Sequence, residues 1–215
     1  MADEPNDATP FLPERRSLKA LREAALGCRG CHLWRPATET VFGEGRRSSQ
    51  VMLVGEQPGD REDRAGKPFV GPAGRELHRG LEAAGIERRD AYVTNVVKHF
   101  KFEERGKRRI HQTPKRFEID ACIPWLEAEL DVVKPEALVL LGAVAAKALL
   151  GSSFKVTQHR GELLDSELAP IVSATIHPSA ILRQRDDASR AAERETFAED
   201  LRVVAAALKV AERQH

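Results

Sequence analysis

The sequence predicts a three-layer α/β/α domain around a central, mostly parallel, four-stranded sheet. Short apolar runs that read as buried strands alternate with longer stretches of helical spacing, a rhythm that favours parallel strands joined by crossover helices on both faces. The strand-like runs stop abruptly at glycine or polar residues, as strands feeding functional loops do. The 215 residues, 41% of them apolar, suffice for one buried core.

Residues 1–16 open on the polar, acidic MADEPNDATP and are expected to form a flexible N-terminus, followed by a single domain over residues 17–210. Residues 17–26 carry Leu18, Leu21 and Leu26 near helical spacing and stop at Gly27, a helix terminator. Residues 51–54 read as a buried strand ending in Gly55, residues 74–84 as a helix with Leu77 and Leu81 on one face, and residues 92–97 as the next strand. The pattern returns as a strand at 137–141, a helix at 143–150 and a strand at 171–176. A last helix, 191–209, presents Phe197, Leu201, Val204 and Leu208 to the sheet. Residues 151–169 read only as a hairpin or loop. Ligands of such sheets bind outside the carboxyl ends of the strands, where GEQPGD, Asn95 and HPS all fall.

No apolar run approaches the length of a membrane span, and the N-terminus is unlike a signal peptide, so a cytoplasmic protein is expected; a monomer is the expected state. Three cysteines are an odd number, with Cys28 and Cys31 too close in sequence to anchor a secreted disulfide framework. Ligation of a metal or cluster suits them better, and from spacing alone a Cys3His zinc site and an iron–sulfur cluster fit equally. Residues 98–116 form an inserted basic loop with eight Lys/Arg against two Glu, in a chain of net charge +1. That imbalance points to a polyanion, and Phe100 and Phe102 add rings on which bases can stack. His111 lies inside the run, where a neutral imidazole can act as base, ligand or nucleophile.

The stretch from Gly55 to Gly74 holds five glycines and three prolines between a strand and a helix, which fixes its backbone and allows a ligand close approach. It contains no GxxxxGK[ST] frame, so it is not a nucleotide-hydrolase P-loop. Its GE-x-PG start and PFVG-x-AG end resemble motif A of the uracil-DNA glycosylase superfamily, above all the iron–sulfur family-four branch. YVTNVVK at 92–98 resembles that family's uracil-reading strand and HPSAILR at 177–183 its motif B, so the likeness runs from about Cys28 to Arg183 in the family's order. The inserted KRRIH most resembles the UdgX subgroup, which bonds covalently to its DNA product.

The resemblance implies uracil-containing DNA as partner, with single strands preferred, and a role for each matching residue. Phe69 would cover one face of an extruded uracil, while the Asn95 amide offers a donor and an acceptor to its O4 and N3–H. His177 would donate toward O2, where negative charge grows as the glycosidic bond breaks, and Gly55, Gln57 and Asp60 would line the same pocket. The best-known branch has a water-orienting aspartate where this chain has Gln57, an amide that cannot usefully take a proton. His111 would fill that vacancy by attacking C1′, with Glu56 on its other ring nitrogen. Asp63, a third carboxylate nearby, reads as an exposed loop residue. Lys107, Arg108, Arg109, Ser179 and Arg183 would hold the loop or contact phosphates, and Leu182 or Ile181 would wedge into the base stack. The resemblance also favours a [4Fe-4S] cluster over zinc, on Cys28, Cys31, Cys122 and His99, the last standing where family four has a cysteine. Two rival readings are a conventional turnover glycosylase and a nucleic-acid-binding module without catalysis.

Overall fold

A computed structural model describes residues 7–213. The helix α1 (Leu18–Ala25) starts at Ser17, whose side chain accepts the Ala20 N–H at 3.1 Å and so satisfies a donor left unpaired at a helix start. After β1 (Val51–Gly55) come a short helix, α2 (Asp60–Ala65), and α3 (Pro72–Ala83), which opens on a proline whose missing N–H has no partner to lose there. β2 (Ala91–Asn95) leads into a hairpin of β3 (Phe102–Arg105) and β4 (Arg108–His111), then the long α4 (Arg116–Val133). The second half runs through β5 (Ala137–Leu141), α5 (Ala143–Leu150), α6 (Val156–His159), β6 (Leu163–Leu164) and β7 (Ile171–Thr175). It ends with α7 (Ser179–Leu182) and α8 (Asp187–Glu212).

The sheet order is β2-β1-β5-β7-β6, with the first four strands parallel and β6 antiparallel to β7. The expected four-stranded sheet therefore gains a fifth, two-residue strand. Its brevity hides it in the sequence, and it lies within the stretch that reads only as hairpin or loop. β1, β2, β5 and β7 are buried along their whole length, as strands covered on both faces must be. Alternate side chains divide between two apolar layers. Met52, Val54, Leu138 and Leu140 pack with Leu21 of α1, Trp125 and Leu126 of α4 and Ala145 of α5. Val51, Leu53, Val139 and Leu141 pack with Leu77 and Leu81 of α3 and Phe197, Leu201 and Val204 of α8. The α/β/α class follows from these two layers.

Three further expectations change. The basic loop at 98–116 is largely an antiparallel hairpin, because Phe102–Arg105 and Arg108–His111 can turn back at Gly106, whose φ is 61°. The glycine-rich stretch after Gly55 contains α2. The N-terminal segment is ordered from residue 7: Ala8 is fully buried and its N–H donates to the Ala121 carbonyl at 2.8 Å. Residues 1–6 of the expected flexible terminus lie outside the described residues. Among the described residues no helix is long and apolar enough to cross a membrane.

Candidate active site

Parallel pairing brings the carboxyl ends of β1 and β2 level, with Gly55 opposite Asn95. Beyond the sheet the pairing continues as Val96 N–H to Gly55 O at 2.9 Å and Val97 N–H to Glu56 O at 3.0 Å, which sets Glu56 beside the segment that follows β2. Gly55 must lack a side chain, since a Cβ there would lie 2.8 Å from Phe69 Cζ and nearer still to Asn95 Oδ1. Phe69 has a left-handed φ of 54°, a conformation costing a non-glycine residue about 1–3 kcal/mol. It is held from both sides: the carboxylate of Glu62 accepts the Gly71 N–H at 2.7 Å, and the missing Cβ of Gly74 lets the first turn of α3 seat on the Phe69 carbonyl. The resulting ring stacks toward His177, with centroids 6.2 Å apart and planes within 28°.

His177 follows β7. The Ser179 N–H donates to its Nδ1 at 3.2 Å, and Ser179 Oγ lies 2.8 Å from the same nitrogen while accepting Arg183 Nη1 at 3.0 Å. A main-chain donor at Nδ1 leaves the proton of the neutral ring on Nε2. Burial, with the nearby Arg183 and His111, pushes the His177 pKa down to about 4, so the ring is a neutral N–H donor. Ser179, expected at a phosphate, instead orients this imidazole. The exposed Arg183 does so in part, while remaining at the cavity mouth.

His111 ends β4, half-exposed, with Nε2 3.4 Å from Glu56 Oε1. That contact is not aligned as a hydrogen bond, and Glu56 Oε1 is a buried oxygen without a partner. Burial pushes the Glu56 carboxyl up to about 7, against the pull of Arg183. The His111 pKa is lowered by burial and then by Arg183, so its ring is also neutral near pH 7. The ring's interaction with its own main-chain carbonyl opposes that lowering. Glu56 stands beside Nε2 of the ring.

Gln57 and Arg109 have other partners than expected. Both ends of the Gln57 amide are taken up by the hairpin base: Oε1 accepts the Lys101 N–H at 2.9 Å, and Nε2 donates to the carbonyls of Gln112 at 3.0 Å and Lys101 at 3.3 Å. Its side chain therefore holds the hairpin that carries His111, while Gln57, like Asp60, also lines the cavity. Arg109 lies beneath the hairpin, donating Nε to Asp60 at 2.5 Å and Nη1 to Asp63 at 2.6 Å, with its guanidinium 4.9 Å from the Phe102 ring. It fastens the hairpin to α2 and is not displayed to phosphate. Asp60 is likewise tied to Arg64 and Arg109, and Asp63 is fully buried, receiving the Thr38 N–H at 3.0 Å. Lys107 and Arg108 are exposed around the hairpin tip.

Glu56, Phe69, Asn95, His111, His177 and Arg183 line one cavity of about 780 Å³, the size of a site for a nucleotide-scale ligand. Leu182 stands on its rim, 37% exposed, whereas Ile181 is fully buried and cannot act as a wedge. Residues 42–202 match the model of the uracil DNA glycosylase superfamily. The chain belongs to that superfamily. It is 36% identical over 174 residues to the type-4 uracil-DNA glycosylase of Pyrobaculum aerophilum, covering 78% of this chain and 85% of that protein. The type-4 enzymes of Sulfurisphaera tokodaii and Thermotoga maritima are 37% and 36% identical over 174 residues, covering 77% and 80% of this chain and 76% and 87% of theirs.

In this glycosylase-family chain the three cysteines are electrostatic neighbours. Burial raises the Cys122 thiol to about 12, with Lys98 opposing and Cys31 and Cys28 adding to the shift. Each sulfur receives an N–H: Cys28 from Trp125 Nε1 at 3.2 Å, Cys122 from the Lys98 amide at 3.3 Å, and Cys31 from the Leu33 main chain. Such donors suit sulfurs that bear negative charge, so this donor set fits a thiolate-bound group. Among the described residues no three His, Cys, Asp or Glu side chains close into a metal-binding group, and the Nε2 of His99 is 3.0 Å from Thr40 Oγ1.

Sequence reasoning missed Glu62 and the clamp on Arg109. Asp60 and Asp63 stand at i and i+3 on one face of a helix, which is the available signal, but the surrounding glycines and prolines disguise that helix as loop. Removing the three Gln57 hydrogen bonds, each worth about 1 kcal/mol, should let the hairpin open more readily than the sheet. In Gln57→Ala, amide hydrogen exchange over 102–111 is expected to quicken by about 10–100-fold while β1 and β2 keep their protection.

Proposed function

We propose that this protein excises uracil from DNA, with single strands preferred, and then bonds through His111 to C1′ of the abasic sugar. The observation carrying this reading is the His111–Glu56 pair at the mouth of the cavity that holds Phe69, Asn95 and His177. Uracil enters over Phe69 and is read by the Asn95 amide. As the N1–C1′ bond breaks, its electron pair leaves with uracil, and the Nε2–H of His177 meets the charge developing on O2. Both imidazoles are neutral near pH 7, one as donor and the other as lone pair. His111 Nε2 then closes on the cationic C1′. The new N–C bond leaves a positive imidazolium that keeps its Nδ1 proton, and the departed uracil anion takes a proton from solvent. The Glu56 carboxylate stabilises both cations in turn, at a site where burial strengthens its field.

Conventional turnover needs a water or a base at this place. The Gln57 amide, committed to the hairpin, supplies no base, and Glu56 is the carboxylate that the conventional reading would use to orient a water instead of His111. We further infer that Cys28, Cys31, Cys122 and His99 hold a [4Fe-4S] cluster, zinc being the alternative. Its role is to join the end of α1, the segment after β2 and α4; it takes no part in the bond changes. A monomeric state is part of the same proposal.

Incubation with single-stranded uracil DNA, followed by denaturing SDS electrophoresis, should give a shifted protein–DNA band. The band should vanish in His111→Ser, and a persisting band would refute the nucleophile. Glu56 has a raised pKa and acts as the anion, so its contribution is absent below about pH 7 and present above. Single-turnover adduct formation should therefore rise about tenfold per pH unit below that value and level off above it, a profile that Glu56→Gln should flatten. Metal analysis of anaerobically purified protein should give iron with visible cluster absorption, and stoichiometric zinc without iron would overturn the cluster.

A further inference from the structure

Asn95 reads the base only if its side-chain amide points into the cavity in one orientation, and β2 ends at that residue, so its carbonyl has no strand partner. The structure supplies a partner from below. Lys98 Nζ donates to the Asn95 carbonyl at 2.7 Å, to Thr94 Oγ1 at 2.8 Å and to Glu129 Oε2 at 2.5 Å, which uses all three of its protons. The lysine side chain is 1% exposed and the glutamate 0%. Glu129, on α4, also accepts the Tyr92 hydroxyl at 2.8 Å, the Thr94 hydroxyl at 3.0 Å and the Gly43 N–H at 3.1 Å. The other end of the same peptide unit, Val96 N–H, donates to the Gly55 carbonyl. The peptide plane between Asn95 and Val96 is therefore gripped at both its oxygen and its nitrogen, which fixes ψ of Asn95 and with it the direction of the Cα–Cβ bond from which its amide is presented.

We propose that Lys98, neutralised by Glu129, is a positioning residue for Asn95. It acts on base recognition through the Asn95–Val96 peptide and touches neither DNA nor uracil. Stability alone does not call for this pair, because a buried ion pair costs several kcal/mol of desolvation per ion and well-packed apolar residues commonly replace one without loss. What the apolar replacement cannot supply is a directed donor on one carbonyl. The proposal rests on Asn95 being the base-reading residue, and its test separates the two claims.

The variants are Lys98→Met/Glu129→Gln, which removes both charges while keeping the volume, and Thr94→Val, which removes one hydroxyl from the same network. Each is made alone and together with Asn95→Ala. Thermal unfolding establishes that each is folded, and single-turnover uracil release is followed against DNA concentration. Both network variants should raise the half-saturating DNA concentration or lower the limiting rate by about tenfold, and adding Asn95→Ala should cost nothing beyond Asn95→Ala alone. A folded network variant with unaltered release overturns the proposal, as do losses that multiply with that of Asn95→Ala, since these would mean the pair acts on the fold at large. If Asn95→Ala alone is harmless, the assignment of Asn95 falls and the positioning role falls with it. Where the double replacement does not fold, Thr94→Val decides by the same outcomes.

Discussion

The lysine–glutamate pair beneath β2 is where sheet, helix and loop are joined. Glu129 reaches it from α4, Tyr92 and Thr94 from the strand, and Gly43 from the segment that covers the strand's outer edge. Two charges without water are tolerable only when every donor and acceptor is met, and here the ammonium has three partners and the carboxylate four. Lys98 also donates its main-chain N–H to Cys122, so one residue touches both one of the thiols and the strand that ends at Asn95. The cysteines and the cavity are thus parts of one structure, even though no thiol lines the cavity.

A second charged cluster does for the hairpin what the first does for the strand. Arg109 points inward to Asp60 and Asp63, Lys101 to Glu118, and Gln57 closes the hairpin base. Two of the cations that make this segment look like a nucleic-acid grip, Lys101 and Arg109, are therefore used within the protein. Those left at the tip, Lys107 and Arg108, are exposed. His111 owes its position to the inward contacts, which fasten the hairpin to α2, α4 and Gln57.

Much of the fold was legible because both faces of the main strands are buried. Leu53 and Val54 must each find an apolar layer, and a run such as ALVLL at 137–141 reads as a strand with its bounds intact. β6 escaped because two residues carry no period, and α2 because its acidic, glycine-flanked sequence looks like loop. In the site, the chemistry of residue types was readable for Phe69, Asn95, His111 and His177. Direction was not. Nothing in the local sequence says that Arg109 turns inward, that Gln57 faces the hairpin or that Asp63 is buried, because each depends on a partner remote in sequence: Asp60 for Arg109, Gln112 for Gln57, Thr38 for Asp63.

Gly55 carries a consequence for how such a pocket arises. Its main chain belongs to the sheet and pairs with β2 at Asn95 and Val96, so the strand is complete with or without a side chain. The space in which Phe69 and Asn95 converge exists because one carbon atom is missing from that strand. The cavity is thus written into the sequence as an omission, and a single methyl group would separate possession of this fold from possession of its binding site.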